Sequence, residues 1–220
     1  MTFASTFGRV LSPTFQPKSQ AVAAGGSWWD LDGAITSCVA AYQPKGAASY
    51  AASLIDLTGN SHVLSNSDYA PPWDAATGWC TGRWRVGYTY YGLITDIVPK
   101  AGYSIAILCE RLFDAATAVF SSQYFELTLD YSADKNLWRR TTSAYGGTAI
   151  AGVFTLAGGK AYIDGTNVAT LTDTTDSTAP VWIGRGDGYN SKIYIKAVSI
   201  YDAALTSSQV SSLSTAMAAL

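Results

Sequence analysis

The chain has 220 residues, of which 48% are hydrophobic, 13% aromatic and 14% charged. This length accommodates one β-sandwich with a sizeable core, and the low share of charge is typical of all-β proteins with many turns. The formal net charge of −2 and only two basic pairs, Arg83/Arg85 and Arg139/Arg140, argue against nucleic acid as a main partner, because phosphate binding needs clustered cations.

The three cysteines, Cys38, Cys80 and Cys109, are odd in number and far apart, so they cannot form a complete disulfide framework. This usage predicts synthesis in a reducing cytoplasm. The N-terminus lacks a basic segment followed by an apolar one, so we expect no secretory signal, and no apolar run reaches the length of a membrane span. A protein of this kind that works outside a cell leaves it by lysis or within a particle.

Residues 1–27 contain Gly, Ser, Pro and Gln, and Pro13 and Pro17 oppose helix formation. One interpretation of this segment is a disordered terminus. The other is an extended arm that orders against a neighbouring subunit, because a purely solvated tail does not need several large apolar residues. The predicted anchoring residues of the arm are Phe3, Phe7, Arg9, Val10, Leu11 and Phe15.

The predicted β-domain spans residues 28–205. Residues 35–42 are predicted to form a strand that is covered on both faces, because apolar residues occupy both phases of its alternation. Residues 69–84 are predicted to be loop-like, since prolines and glycines interrupt them. Further strands are predicted at residues 88–98, 103–109, 119–131, 137–142 and 149–156.

The clearest alternation lies within residues 125–131. Phe125, Leu127, Leu129 and Tyr131 share one face, and the residues between them are polar, so one face is predicted to be core and the other solvent-exposed. Residues 160–168 read as two strands joined by a tight Asp-Gly turn.

The last strands are predicted at residues 181–184 and 193–201, joined as a hairpin by a segment rich in Gly, Asn and Asp. The apolar phase slips between Ile195 and Val198, which indicates a bulge or burial on both faces. After them, Thr206 and Gln209 form a capping-box pattern that predicts a short helix over residues 206–220. Its apolar positions at helical spacing are Val210, Leu213, Met217 and Leu220.

Several motifs resemble, in order, those of LamG-like domains with the concanavalin A-like lectin/glucanase jelly roll. They are Ile55-Asp56-Leu57-Thr58-Gly59-Asn60, Tyr162-Ile163-Asp164-Gly165, Trp182-Ile183-Gly184-Arg185, residues 195–201 and Tyr201-Asp202-Ala203-Ala204-Leu205-Thr206. The resemblance implies an all-β fold, a two-sheet antiparallel β-sandwich with an extended N-terminal arm and a short C-terminal helix. The chain departs from the family where an acidic pair commonly precedes the valine of the last strand, since Lys196 and Ala197 stand there.

Residues 7–15 are similar to the leaders of LamG-containing proteins encoded among tail and capsid genes of tailed bacteriophages. This resemblance implies a virion protein made in the host cytoplasm, with other capsid or tail subunits as partners. If the arm exchanges between subunits, a symmetric homo-oligomer follows.

Catalysis is not predicted. Glycoside hydrolysis needs two carboxyl groups within about 9.5 Å, whereas Glu126 and Asp130 are about 13 Å apart along one strand face. The glucanase motif Glu-x-Asp-x-x-Glu is absent from the sequence. His62, the only histidine, reads as a surface residue, so neither a Ser-His-Asp nor a Cys-His site is indicated.

Calcium is the one cofactor that the resemblance leaves open, because concanavalin-like sandwiches often bind it through loop carboxylates. The candidate ligands are Asp164, Asp173, Asp176 and Asp187. Turn-forming aspartates explain these positions equally well. Arg185-Gly186-Asp187 is the tripeptide read by integrins, but a Gly-rich turn also generates it.

Aromatic residues cluster within residues 73–91, and exposed aromatics stack on sugars or anchor protein interfaces. The alternative is that they fill the core. The predicted glycan or partner contacts are Trp73, Trp79, Trp84, Tyr88, Tyr90, Arg185, Asp187 and Tyr189. The sequence therefore predicts a non-enzymatic bacteriophage virion protein, in capsid decoration or tail, that displays a jelly-roll domain for glycan or host-surface binding. The alternatives are a free carbohydrate-binding lectin and a glycoside hydrolase.

Overall fold

The structure is a computed structural model that describes residues 27–31, 33–84, 89–112, 117–123, 126–130, 135–139, 143–172, 175–184 and 192–220. The elements are β1 (Cys38–Tyr42), α1 (Tyr50–Ser53), β2 (Leu64–Asn66), β3 (Trp73–Asp74), β4 (Gly78–Trp84), β5 (Thr89–Tyr91), β6 (Leu93–Thr95), β7 (Ser104–Arg111), β8 (Thr117–Ser121), β9 (Glu126–Asp130), β10 (Lys135–Arg139), β11 (Ser143–Tyr145), β12 (Ala151–Ala157), β13 (Lys160–Ile163), β14 (Thr166–Thr170), β15 (Trp182–Ile183), β16 (Lys192–Tyr201) and α2 (Ser207–Ala218).

Within the described residues, nine strands form the first sheet, in the order β14-β13-β12-β7-β16-β4-β3, with β1 also paired to β16 and β5 to β4. The other seven form the second sheet, in the order β11-β10-β9-β8-β15-β6-β2. The strand ladders are antiparallel, as in those of β16 with β7 and β10 with β9. The predicted two-sheet antiparallel β-sandwich with a short C-terminal helix is therefore confirmed.

The main core lies between the two sheets. Apolar side chains of the first sheet, such as Ile107 and Phe154, share one cluster with Phe120, Leu129 and Trp138 of the second sheet. Leu127 and Leu129 are fully buried while Glu126 and Thr128 are half-buried, which confirms the predicted alternation for these described residues. Burial of this apolar area is the dominant stabilising term of such a sandwich.

A second core covers part of the outer face of the first sheet. Val210, Leu213 and Met217 of α2 pack there against small residues such as Ala106 and Ala197. The predicted capping box is confirmed, because the Thr206 hydroxyl accepts from Gln209 N while the Gln209 side chain accepts from Thr206 N. The described helices include none that is long and apolar enough to cross a membrane.

Strands β1 and β16 have apolar residues on both faces, as the sequence predicts. Ala40 belongs to the core between the sheets, whereas Ala41 belongs to the outer core. In β16, Ile195 and Val198 both face the inner core, although the two residues between them would put them on opposite faces of a regular strand, and the pairing register shifts between Ile195 and Ala197. The sequence left a bulge and burial on both faces as alternatives; the register shift supports the bulge, and the two cores show the burial on both faces.

The Asp-x-x-Gly-Asn turn after α1 is built around the buried carboxylate of Asp56. Its Oδ1 accepts from Ala41 N at 3.1 Å and from Thr58 N at 3.0 Å, and its Oδ2 accepts from His62 N at 3.1 Å. The carboxylate thus ties residues 56–62 to β1 and satisfies backbone donors that have no strand partner.

Three predictions on the strands are wrong in detail. Residues 181–184 and 193–201 are not a hairpin, because β15 belongs to the second sheet and β16 to the first. Residues 69–84 are not a loop, since they contain β3 and all of β4, a strand next to the middle of the first sheet. Residues 88–98 and 119–131 each divide into two strands, and β5 and β6 lie in different sheets.

Candidate groove on the outer face of the first sheet

The candidate site lies on the outer face of the first sheet, beyond the part that α2 covers. Cys80 of β4, Tyr194 of β16 and Glu110 of β7 are paired in one row across three neighbouring strands. Their strand neighbours Trp79, Ile195 and Cys109 belong to the core between the sheets. Because side chains alternate along a strand, the row of Cys80, Tyr194 and Glu110 points outward.

One wall of the site is the short hairpin between β3 and β4. The Asp74 Oδ1 accepts from Ala76 N at 2.8 Å, and the carbonyl oxygen of Asp74 accepts from Thr77 N at 3.3 Å, so the turn holds the exposed carboxylate in place. Gly78 closes the turn with φ of +85°, and a Cβ there would stand 2.1 Å from the Ile195 carbonyl oxygen. Only glycine lets this hairpin approach β16 so closely.

Between the hairpin and β16 lies an open groove of about 480 Å³, which we call the outer groove. This volume is within the range of about 300–1,000 Å³ that is typical of small-molecule sites. The lining residues are Pro72, Trp73, Asp74, Thr77, Gly78, Cys80, Leu112, Lys192 and Tyr194. These lining residues of the outer groove thus combine two aromatic side chains and apolar surface with one carboxylate, one ammonium group and the hydroxyl groups of Thr77 and Tyr194.

The thiol in the outer groove is a neutral group at physiological pH. Burial raises the pKa of Cys80 above its ordinary value, and the nearby charge of Lys192 opposes this shift without cancelling it. Burial also raises the pKa of Cys38 to about 12, with Asp56 adding to the shift, and raises the pKa of Cys109 further. A thiol is a nucleophile only as the thiolate, so these environments suppress thiol chemistry.

Of the predicted contact residues, Trp79 is buried between the sheets, and Trp73 packs against that core while also lining the outer groove. Trp79 is 0% exposed, and its Nε1 donates to Ser53 Oγ at 2.8 Å, so its prediction as a surface contact is wrong. Trp73 pairs with Trp79 across β3 and β4, is half-buried against the core between the sheets, and donates from Nε1 to the Pro44 carbonyl oxygen at 2.9 Å. The large apolar area of an indole explains why these positions fill the core.

Further along the outer edge of β4, other aromatic side chains reach the surface. Tyr90 and Tyr91 of β5 are half-buried, and Tyr69 is 57% exposed. The ring centroids of Tyr69 and Tyr91 are 5.8 Å apart, with the ring planes inclined by 38°. The sequence prediction included Tyr90 and missed Tyr69, whose position next to a proline pair offered no strand alternation to read.

The remaining predicted contacts lie outside the described part of the structure. They are Tyr88, Arg185, Asp187, Tyr189, the side chain of Trp84 and the arm residues Phe3, Phe7, Arg9, Val10, Leu11 and Phe15. The sequence prediction did not select Asp74, Lys192 or Tyr194, which the structure brings together. The alternation of Lys192 and Tyr194 with Ile193 and Ile195 is a signal that could have identified the outward-facing pair.

His62 is more than a surface residue, because its Nδ1 lies 2.9 Å from Asp96 Oδ1. Two candidate calcium ligands accept backbone hydrogen bonds: Asp164 Oδ1 from Val153 N and Asp176 Oδ1 from Ala101 N, both at 2.8 Å. The other two, Asp173 and Asp187, lie outside the described residues. Among the residues that the structure describes, no group of three potential metal ligands comes together.

No protein-family model and no curated protein sequence matches this chain. Solved structures match it by fold. The chain is similar to botulinum neurotoxin type C, whose uptake into cells depends on two ganglioside molecules, with a TM-score of 0.60 and 12% identity over 82% of this chain and 51% of that one. It is also similar to the binding domain of botulinum neurotoxin DC in complex with SialylT, with a TM-score of 0.58 and 10% identity over 82% and 51%.

A third similar structure is the Trypanosoma rangeli sialidase, with a TM-score of 0.55 and 13% identity over 80% of this chain and 32% of that one. The chain thus spans about half or less of the length of these proteins. At these identities the likeness establishes the β-sandwich fold alone, and any activity has to be argued from the site itself.

Proposed function

We propose that this chain is a non-enzymatic recognition protein of a bacteriophage particle. Its N-terminal arm attaches it to other capsid or tail subunits, and its β-sandwich is displayed outward to bind glycans or the host surface. The arm's apolar residues and the similarity of residues 7–15 to phage virion leaders support the attachment. The protein is made in the host cytoplasm and assembles as a homo-oligomer on the particle.

The observation that carries the recognition part is the outer groove. Its aromatic side chains, carboxylate, ammonium group and hydroxyl groups converge from neighbouring strands and a tight turn. A concave site with apolar walls and a few fixed polar groups is the usual form of a small-molecule site. The exposed Tyr69, whose ring is tilted against that of Tyr91, adds an aromatic surface on the same strand edge.

Three features support a non-enzymatic role. The Cys38, Cys80 and Cys109 thiols have raised pKa values and are poor nucleophiles at neutral pH. Glu110 of the outer face is paired with Lys196, Nζ to Oε2, at 2.9 Å. Among the described residues that line the outer groove, Asp74 supplies the one carboxylate, whereas glycoside hydrolysis uses two.

Electron microscopy of native particles tests the virion role. Particles assembled with tagged full-length protein should carry the tag at regular positions, and deletion of residues 1–27 should abolish attachment while leaving the urea unfolding midpoint of the domain within experimental error. Soluble protein that never co-purifies with particles contradicts the proposal. That result would favour a free lectin, the candidate that the ganglioside- and SialylT-related structural neighbours support.

A glycan array tests recognition. The full-length protein should bind a restricted set of glycans, and substitution at the outer groove or at Tyr69 should reduce the signal. Tyr145→Ala is the matched control, because Tyr145 is 58% exposed on β11 of the other sheet. An array without any bound glycan contradicts glycan recognition and leaves a purely structural role on the particle.

A further inference from the structure

We infer that the outer groove binds a neutral hexopyranose, with the Tyr194 ring as its stacking wall and the Asp74 carboxylate as acceptor for two sugar hydroxyls. This inference rests on the proposed recognition function and names the ligand class of that site. The fold likeness does not specify it, because at 12% and 13% identity the similarity shows the sandwich alone.

The shape of the lining favours a ligand with one apolar and one polar side. Tyr194 lies between Cys80 and Glu110 on the outer face and is half-buried, so its position is set by neighbouring strands. Pro72 and Leu112 extend the apolar surface. A pyranose ring offers a C–H face that stacks on an aromatic ring and hydroxyl groups around its rim, which suits such a site.

The polar side of the outer groove is pre-oriented. The Asp74 carboxylate is exposed to solvent, yet its Oδ1 is held by Ala76 N at 2.8 Å. A carboxylate has about four acceptor positions, so one backbone hydrogen bond leaves room for two sugar hydroxyls. A fixed carboxylate loses little conformational entropy when ligand binds, which increases the affinity of a small ligand.

The balance of charge favours the neutral sugar. Among the lining residues that the structure describes, Asp74 contributes one negative charge and Lys192 one positive charge, so these residues together carry no net charge that would attract an acidic sugar. An acidic sugar would place its carboxylate within reach of Asp74, and like charges at short distance are unfavourable. A zwitterionic amino acid or dipeptide is the competing ligand that this pair of charges would also accept.

Isothermal titration calorimetry and saturation-transfer NMR on the full-length protein test the inference. The probes are glucose, galactose, mannose and N-acetylglucosamine, against N-acetylneuraminic acid, glucuronic acid and glycylglycine. We expect at least one neutral sugar to bind. Tyr194→Ala should weaken that binding about tenfold, whereas Tyr194→Phe keeps the ring and should stay within about twofold. Asp74→Asn should weaken it about fivefold, and Tyr145→Ala should have no effect.

The outcomes that contradict the inference are distinct. Sugar binding that Tyr194→Ala and Asp74→Asn leave unchanged overturns the outer groove as the site, while glycan recognition stands. Binding of an acidic sugar or glycylglycine that these variants weaken overturns the ligand class alone. Absence of binding to every free sugar and to the whole glycan array overturns both. Circular dichroism of each variant tests whether unfolding causes the loss of binding. Because Asp74 is exposed, we expect Asp74→Asn to leave the fold intact.

Discussion

The outer face of the first sheet has two halves that differ in what covers them, although the same strand, β16, runs through both. One edge of β16 pairs with β7 along its length, whereas the opposite edge pairs with β4 at residues 192–195 and with β1 at residues 198–201. Beyond the bulge, beside β1, the sheet is covered by the outer core, to which α2 contributes together with Trp28, Trp29 and Ile35. Before the bulge, beside β4, the outer groove is open to solvent.

Side-chain polarity accompanies the difference. In the covered half, Ala106 and Ala197 belong to one apolar cluster with Leu213 and Met217 of α2. In the groove half, Tyr194 and Lys192 stand at outward positions of the same strand and carry polar groups that favour contact with water. The register shift between Ile195 and Ala197 divides β16 into a part that lines the outer groove and a part that belongs to the covered half.

The largest effect is expected in the covered half. Leu213→Ala removes a fully buried side chain under α2 and should lower the free energy of unfolding by about 3–5 kcal/mol, through lost burial and the remaining cavity. Urea unfolding measures it, with the exposed Ser212→Ala on the same helix as control. Under conditions in which the variant is fully folded, its affinity for sugar should equal that of wild type. A loss of binding without unfolding would mean that the two halves are coupled.

Gly78→Ala tests the groove half. The new Cβ would meet the Ile195 carbonyl oxygen at 2.1 Å in a backbone with φ of +85°, so we expect a loss of about 2–4 kcal/mol and weaker ligand binding. Gly59→Ala is the matched control, because Gly59 has φ of +83° with no atom within 4 Å of the added Cβ. It should cost about 1 kcal/mol. Equal losses in the two variants would contradict the close approach of the hairpin to β16.

A smaller effect is expected at the Asp56 carboxylate, which anchors β1 in the covered half. Asp56→Asn keeps one acceptor oxygen and replaces the other with an NH2 group that faces the donor His62 N, so stability should fall by about 1–3 kcal/mol. The exposed Asp68→Asn serves as control in thermal and urea unfolding. If both variants unfold at the same urea concentration, Asp56 is not the anchor that its hydrogen bonds indicate.

The smallest effect concerns pH and lies outside both halves. Desolvation raises the pKa of Asp96, but hydrogen bonds from the His62 side chain and from the backbone of Val63 outweigh this effect. The pKa of Asp96 is therefore lowered in the folded protein. A carboxyl group whose pKa is lower in the folded than in the unfolded protein stabilises the fold at pH values above its unfolded pKa of about 4. This contribution is lost as the pH falls through the folded pKa. Because Asp96 is largely exposed, the contribution should stay below about 1 kcal/mol.

The measurement compares wild type and Asp96→Asn by urea unfolding at pH 7 and at pH 3. Wild type should be the more stable at pH 7, and the difference should shrink at pH 3, where the carboxyl group is largely protonated. A difference that is the same at both pH values would assign the effect of the substitution to packing instead of charge.

Local patterns in the sequence predicted much of the fold because their causes are local. The alternation around Leu127 and Leu129, the phase slip at Ile195 and the capping box at Thr206 each depend on neighbouring residues, and all three are confirmed. The candidate site was harder to predict. It joins Asp74 to Tyr194, and strand pairing alone brings residues this far apart in the sequence together.

The wrong predictions have the same origin. The sequence predicts Trp79 as a surface contact, but whether an aromatic residue faces the core depends on the register of its strand, and the prolines and glycines of residues 69–84 conceal the strand β4. The apparent hairpin across residues 181–201 had suitable turn residues, yet its two strands pair with partners in different sheets. Turn composition does not specify which strands pair.

The class of fold, the phase slip in the last long strand and the capped C-terminal helix follow from the sequence, since period, phase and capping are properties of consecutive residues. Packing between distant segments sets which half of the outer face receives that helix and which half forms the outer groove. It depends on apolar side chains from several strands meeting α2, and on Gly78 bringing Asp74 close to Tyr194. Such contacts between distant segments arise from packing and leave no periodic signal in the sequence.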